Sequence, residues 1–395
     1  MHRPKGIPGT RLSRRLFVRS ATGLLVLPLV GCGGGDGDGD AGDGGDDPPD
    51  GRDAGQREGG VDGLEDGGAV DAAVDAAVDA GPPLPELCQP FLTPDGEFPP
   101  LFGGNGTVPG WQRPELDRDE WRLSLEGLVQ RPRRVSLAEL EADTDNHVRV
   151  VSTLQCVFGS RGTAIWTGVP VRVLLEQAGL QRESTRRVRL FGADGFANNL
   201  RLPDLYEVED EVFEPLVVFR MNGEPIDDRL GGPARVLLSD RYGFKNIKWV
   251  IALEATADDA DFGQYQVMTL SDDPGLVDPN TRVDSERTVP AGPVTLCGHG
   301  LSGFGGVERV QVSIDGQPFE SVRLLTLDEV VEATPELRDT LQFQNPEQNP
   351  WPYRGVWAPW EHEVELSPGE HRLAFRILDR SGEGADGFNV LLTAE

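Results

Sequence analysis

"STLQCVFGSRGTAIWTGVPVRVLLEQAG", residues 152–179, decides how the folded part of this chain is read. Its opening continues "HVRVVSTLQ" from His147, a β-branched run that predicts a strand leading directly into Cys156. A glycine-containing loop follows. Further on, Val171, Leu174, Leu175 and Ala178 fall on one helical face, with Pro170 near the start and Gly179 near the end. The chain holds four cysteines, Cys32, Cys88, Cys156 and Cys297. A lone cysteine is ordinarily a small apolar core residue. Whether the Cys156 sulfur does chemistry depends on what surrounds the stretch.

Working outward, "WRLSLEGLV" alternates Trp121, Leu123 and Leu125 with Arg122, Ser124 and Glu126, which predicts a half-buried strand. "VSLAELEA" places Ser136 three residues before Glu139, a capped short helix. Further strands are expected at "RRVRLFGADG", "PLVVFRMNGEP" with an Asn222–Gly223 turn, "ARVLLSD" and "KNIKWVIALEA". Residues 86–270 therefore read as an α+β domain with few long helices. The polar, Pro- and Gly-containing residues 271–293 read as a connection. Beyond them the pattern is short strands only. Val310, Val312 and Ile314 alternate before an Asp315–Gly316 turn, and Leu373, Phe375 and Ile377 alternate later. Residues 294–395 are expected to form a β-sandwich.

The 395 residues are 38% hydrophobic and carry a net charge of −29, unevenly spread. Residues 1–32 contribute +6, residues 33–85 contribute −13, and the remainder −22. A folded part this acidic is a poor candidate for binding nucleic acid or an anionic membrane surface, since phosphate binding needs a basic footprint. "SRRLFVR", with paired Arg14 and Arg15, followed by the apolar Ala21–Val30, reads as a twin-arginine export signal. Ten apolar residues are too few to span a bilayer as a helix. "LVGC" resembles a lipobox, so Cys32 is expected to be the lipidated residue that anchors the protein on the periplasmic side. Residues 33–85, rich in Gly, Asp and Ala, are expected to be a disordered acidic tether. Cys88 and Cys297 are free to pair in an oxidising compartment, at a distance the sequence does not give.

With Cys156 in this setting, the chain resembles the sulfite oxidase-like molybdopterin-dependent oxidoreductases from about Trp121 to the C-terminus. "STLQC", "WTGVPVRVLLEQAG", "FGADGF", "MNGEPI" and "RYGFKNIKWV" carry the resemblance, in that order. It implies an α+β molybdopterin-binding domain followed by an all-β immunoglobulin-like sandwich, often used for dimerisation. It also implies one molybdenum–molybdopterin per chain, with Cys156 as the protein ligand to the metal. Molybdenum favours soft sulfur, which a dithiolene and a thiolate supply. Family contacts carry over to Asn105, Asp194, Arg235, Gly243, Phe244, Lys245 and Lys248 for the cofactor. Arg161 and Tyr265 carry over for the substrate. No haem segment or Cys-x-x-Cys-His run is read, so the resemblance implies an external electron carrier, such as a c-type cytochrome or a membrane subunit.

The departures fall at Gly104–Asn105–Gly106, where many members read Arg-Asn-His. One substrate-gripping arginine and one histidine are lost there, which leaves the small-molecule substrate open between sulfite and an S- or N-oxide. His299, His362 and His371 show no zinc spacing and are expected at the surface or in turns. A rival reading is a cofactor-free binding lipoprotein that keeps the fold without catalysis.

Overall fold

The computed structural model describes residues 89–94, 96–99, 112–157, 159–208, 212–260, 262–263, 275–344, 347 and 350–395. In its first half the order is β1 (Arg122–Gly127), β2 (Arg133–Ser136), α1 (Leu137–Ala142), β3 (Val148–Gln155), β4 (Arg161–Pro170) and α2 (Val171–Gln177). Then come β5 (Arg187–Gly192), β6 (Ala197–Arg201), α3 (Pro203–Tyr206), β7 (Leu216–Met221), β8 (Glu224–Pro225), β9 (Arg235–Leu237) and β10 (Val250–Thr256).

Local sequence explains most of these elements. In β1 the alternation buries Leu123 and Leu125 and exposes Arg122 and Glu126. The α1 start is a closed capping box: Ser136 Oγ accepts from Glu139 N at 3.1 Å, and Glu139 Oε2 accepts from Ser136 N at 2.8 Å. Asn222 and Gly223 both hold positive φ (50° and 90°), the twist that joins β7 to β8. In α2 the expected face, Val171, Leu174, Leu175 and Ala178, is buried.

These strands form two sheets, ordered β2-β1-β10-β5-β6 and β3-β4-β7-β8, with β9 beside β7. One face of the second sheet shares a core with the first sheet and its helices, through Val169, Val217 and Phe219. The opposite face forms a separate core from Leu154, Cys156, Ala164, Trp166, Val218 and Leu237.

The second half runs β11 (Asn280–Val283), β12 (Thr288–Val289), β13 (Gly292–Leu301), β14 (Val307–Ile314), β15 (Glu320–Ser321) and β16 (Arg323–Leu324). It continues through α4 (Leu327–Ala333), α5 (Leu341–Gln344), β17 (Ala358–Leu366), β18 (Gly369–Asp379) and β19 (Gly384–Ala394). The sheets β11-β13-β17-β16 and β12-β19-β18-β14-β15 enclose a core that includes Val310, Val312, Trp360, Leu373, Phe375 and Ile377.

Two expectations are corrected here. β11 and β12 lie within the 271–293 segment read as a connection, yet both pair with sandwich strands. They are edge strands, where a polar, Pro-containing stretch is tolerated because one side meets no partner. The C-terminal region is also not strands only. α4 and α5 sit between β16 and β17; α4 has its own capping box from Thr326 and Glu329, a signal present in the sequence.

That helical insertion covers the open edge of β3. Gln342 Nε2 donates to Val151 O at 2.7 Å and Gln342 Oε1 accepts from Val151 N at 3.1 Å. Thr153 N donates to Gly355 O at 3.0 Å, and Trp357 N donates to Thr153 Oγ1 at 3.0 Å. A small core of Phe91, Val151, Ile165, Leu325, Val330, Tyr353 and Trp357 fills the space between. Covering an edge removes a row of unpaired backbone groups. Here it also holds the strand that ends at Cys156.

Candidate functional site

β3 delivers Cys156 to the end of the sheet, where the chain turns back. Cys156 N donates to Ser160 O at 2.7 Å and Gly159 N donates to Cys156 O at 2.9 Å. The Cys156 side chain is buried and keeps its thiol. It shares its face with Leu154, Trp166 and Phe98, whose ring meets Trp166 edge-on at 5.7 Å. Gly162 must be small there, since a Cβ would lie 2.7 Å from the Phe98 ring.

Two buried cations belong to the same neighbourhood. Arg235 pairs with Val218 in register, and its guanidinium lies 5.5 Å from the Trp166 ring. It donates to the carbonyls of Leu230 (2.7 Å) and Asn246 (3.2 Å), while Nε has no hydrogen-bond partner among the described residues. Burial pushes Arg235 down to about 9. Lys248 is buried as well, and its Nζ donates only to Arg229 O, at 3.3 Å, among the described residues. Burial and then the Arg235 charge push Lys248 down to about 7, while the Asp194 carboxylate and the Cys156 sulfur oppose that shift. Gly231, at φ 102°, permits the close approach, because a Cβ there would lie 2.8 Å from the Lys248 side chain. Among the described residues, two buried cations with no carboxylate bonded to either, an idle Arg235 Nε and a buried Trp166 Nε1 without a partner favour an anion beside the thiol.

The other expected residues divide. Gly243 to Lys245 form a 3-10 turn in which all three are buried. Phe244 belongs to the core between the first two sheets; its carbonyl accepts from Asn198 Nδ2 at 3.0 Å, and Lys245 Nζ donates to Asn198 Oδ1 at 3.4 Å. Asp194 closes a turn by accepting from Phe196 N at 3.0 Å, and it also faces Lys248 electrostatically. Arg241 is engaged with Asp204 (3.5 Å) and Asp240 (3.8 Å). Asn105, Tyr265 and Cys88 lie outside the described residues. Cys297 is disulfide-bonded.

Arg161 stands on the opposite side of the sheet from Cys156. It pairs in register with Gln155, as Thr163 pairs with Thr153, and Ile165 of the same face packs in the small core with Trp357. Its Nε and Nη1 are buried without partners among the described residues, and burial pushes it down to about 10, with Arg282 and Asp284 as the charges it faces. The second-half residues that share its electrostatic surroundings are Arg282, Asp284 and His299. His299 is therefore not a surface or turn residue; it is buried, with Nδ1 2.6 Å from Asp284 Oδ2 and its ring 4.1 Å from that of Trp357. Sequence reading missed the cluster because Arg282 and Asp284 fell in the presumed connection.

A recess of about 530 Å³ bordered by Arg172, Phe213 and Glu214 contains none of these residues. Its arginine is already bonded to Glu214 at 2.9 and 3.1 Å, so it offers no spare charge.

Comparison with known proteins identifies the domain that carries Cys156. Residues 110–263 match the family model described as "Oxidoreductase molybdopterin binding domain". Human mitochondrial sulfite oxidase is 29% identical over 354 residues, covering 78% of this chain and 59% of that protein. A nitrate reductase [NADPH] of Leptosphaeria maculans is 30% identical over 224 residues, covering 50% of this chain and 24% of that one. This chain thus spans less than two thirds of either curated relative. The sulfane dehydrogenase SoxCD from Paracoccus pantotrophus superposes with a TM-score of 0.58 at 18% identity, covering 75% of both chains, which is a likeness of fold. The fold, the matched domain and these relatives agree on one assignment: residues 110–263 are an oxidoreductase molybdopterin-binding domain similar to that of the sulfite oxidases.

Proposed function

We propose that this protein is an oxidoreductase that holds molybdenum–molybdopterin at the Cys156 face and transfers an oxygen atom to or from a small substrate, sulfite or an S- or N-oxide. One observation carries the reading: a buried thiol at a strand end shares its surroundings with two buried cations that bond no carboxylate among the described residues. The residues present fit the group. Cys156 would supply the thiolate, and Lys248 favours that ionised form. Arg235 and Lys248 would meet the phosphate, and Trp166 Nε1 and Arg235 Nε are donors left for its polar edge. When bound, the group supplies two-electron chemistry at an oxygen atom.

The chain's own contribution is positioning and electrostatics. β3, locked at its edge by Gln342 and Gly355, fixes the backbone that carries Cys156. The Leu154, Phe98 and Trp166 side chains exclude water around the thiol. Burial strengthens every charge interaction among Cys156, Arg235 and Lys248. Electrons pass to or from an external carrier, a c-type cytochrome or membrane subunit, and the sandwich is the surface for a homodimer. Support for export by the twin-arginine route and anchoring through Cys32 on the periplasmic side is the sequence "SRRLFVR" and "LVGC".

Metal analysis tests the reading. Protein made in a molybdopterin-competent host is expected to carry about one molybdenum per chain, and Cys156→Ser to lose it. Full molybdenum in Cys156→Ser would sink the ligand assignment, and none in the wild type would favour the binding lipoprotein instead.

A further inference from the structure

Phe91, Thr93, Gly96 and Phe98 trace a strap that passes round β4 from one face of its sheet to the other. Phe91 is buried in the small core, its ring 5.9 Å from that of Trp357. Thr93 binds the backbone of β4: its N donates to Thr163 O at 2.8 Å, and its Oγ1 accepts from Thr163 N at 3.0 Å. Asn222 Nδ2 donates to Thr93 O at 3.5 Å, and Arg229 Nη2 donates to Gly96 O at 3.1 Å. The strap ends at Phe98, buried in the core that holds Trp166, Leu154 and Cys156.

The upstream end of the strap meets the sandwich. Trp357, which packs on Phe91, also packs on the His299 ring at 4.1 Å. On β13, Leu296 belongs to the sandwich core, so Cys297 and His299 lie on the opposite face, where Trp357 packs. Cys297 is disulfide-bonded and Cys156 keeps a free thiol, which leaves Cys32 and Cys88 as the bonded partner. Cys88 stands three residues before Phe91. Three residues of extended chain reach about 10 Å, a length comparable with the ring-to-ring steps from Phe91 through Trp357 to His299.

We propose that Cys88 is the partner of Cys297 and that their disulfide latches the strap, which in turn closes the Cys156 face around its cofactor. Latching is an oxidation. Two S–H bonds break, one S–S bond forms, and two electrons with two protons pass to a disulfide oxidant of an oxidising compartment, itself reduced to a dithiol. A dithiol reductant reverses the step. Once reduced, the strap rests on the contacts of Phe91, Thr93, Gly96 and Phe98, few enough for it to open locally while the sheets stay folded. Opening takes Phe98 off Trp166 and releases Arg229, whose carbonyl is the Lys248 acceptor. The surroundings of the thiol and of Lys248 therefore loosen together. The cofactor enters the reduced chain and is retained by the oxidised one. This inference rests on the cofactor reading of the Cys156 face.

Peptide mapping by mass spectrometry of unreduced, molybdenum-loaded protein is expected to give a cross-linked Cys88–Cys297 peptide. Cys297 joined to Cys32, or left unjoined, overturns the latch. Cys88→Ser, Cys297→Ser and the double variant are expected to lose molybdenum to a chelator at least about tenfold faster than the wild type, all three by the same factor, because they break one bond. Hydrogen exchange at the Thr93 and Phe98 amides is expected to quicken likewise, while the β1 amides keep the wild-type rate. Unchanged strap exchange overturns the latch, and so does an equal rise in β1, which would make the bond a general staple. Wild-type protein treated with dithiothreitol gives the same readings if a variant does not fold. The two readings fail separately. Wild-type protein without molybdenum removes the cofactor reading, and the peptide map with strap exchange still decides the latch. Loaded variants that keep molybdenum at the wild-type rate remove the latch alone.

Discussion

Lys248 offers the sharpest test of how this protein pre-forms a place for an anion. Its ammonium group is buried, donates to a single carbonyl among the described residues, and faces the Arg235 charge. Desolvation lowers it from 10.5 to about 7. Below pH 7 both folded and unfolded chains carry the proton, and the folded state bears the whole cost of burying the charge. Between pH 7 and 10.5 the unfolded chain binds the extra proton, so stability rises with pH by about 1.4 kcal/mol per unit. Across the whole window that amounts to about 5 kcal/mol. Lys248→Met has similar length and no charge, and it removes the dependence. Urea denaturation of cofactor-free protein at about pH 7, 8 and 9 measures it. The wild type is expected to gain about 2–3 kcal/mol relative to Lys248→Met over those two units. In protein loaded with a phosphate-bearing cofactor the gain is expected to vanish, because the anion holds Lys248 charged. A wild-type minus variant difference that stays constant with pH would refute the idea that burial leaves Lys248 uncompensated.

Two further outcomes follow from the same surroundings. Arg235→Met removes a buried guanidinium that bonds no carboxylate among the described residues but leaves the Leu230 and Asn246 carbonyls without their donor. The two effects nearly cancel, so cofactor-free protein is expected to change by less than about 2 kcal/mol in urea denaturation, while molybdenum retention falls at least about tenfold. A loss above that without cofactor would show that Arg235 is a structural contact. Leu154→Ala opens a cavity in the core beside Cys156 and is expected to cost about 2–5 kcal/mol, read from the urea midpoint. No measurable cost would mean that this core is not packed around the thiol.

Much of the fold is legible in short patterns. Alternation at Leu123 and Leu125, and again at Leu373, Phe375 and Ile377, identifies strands and their buried faces, because a strand's two faces repeat every second residue. Ser136 with Glu139 and Asn222 with Gly223 mark a helix start and a hairpin, because each satisfies or bends its own backbone locally. α4 was equally marked by Thr326 and Glu329, and its capping box was hidden only by the expectation of strands. β11 and β12 had no such mark: an edge strand buries too little to impose a period.

Of the site, Cys156, Arg235 and Lys248 were singled out by the family resemblance, whose motifs are short enough to be read in the sequence. It did not reveal that Arg161 and Cys156 occupy opposite sides of the hairpin. That follows from the register, Gln155 opposite Arg161, which exists only once β3 and β4 pair. Nor did it reveal that Asp284 and His299 share electrostatic surroundings with Arg161, more than 120 positions away along the chain. Sequence by itself determined which residues could bear charge or sulfur and which faces each strand and helix would bury, because these depend on side-chain chemistry and backbone period. Tertiary structure decided which of those charges lose water and which meet, because desolvation and pairing across such separations arise only when the sheets and the sandwich pack together.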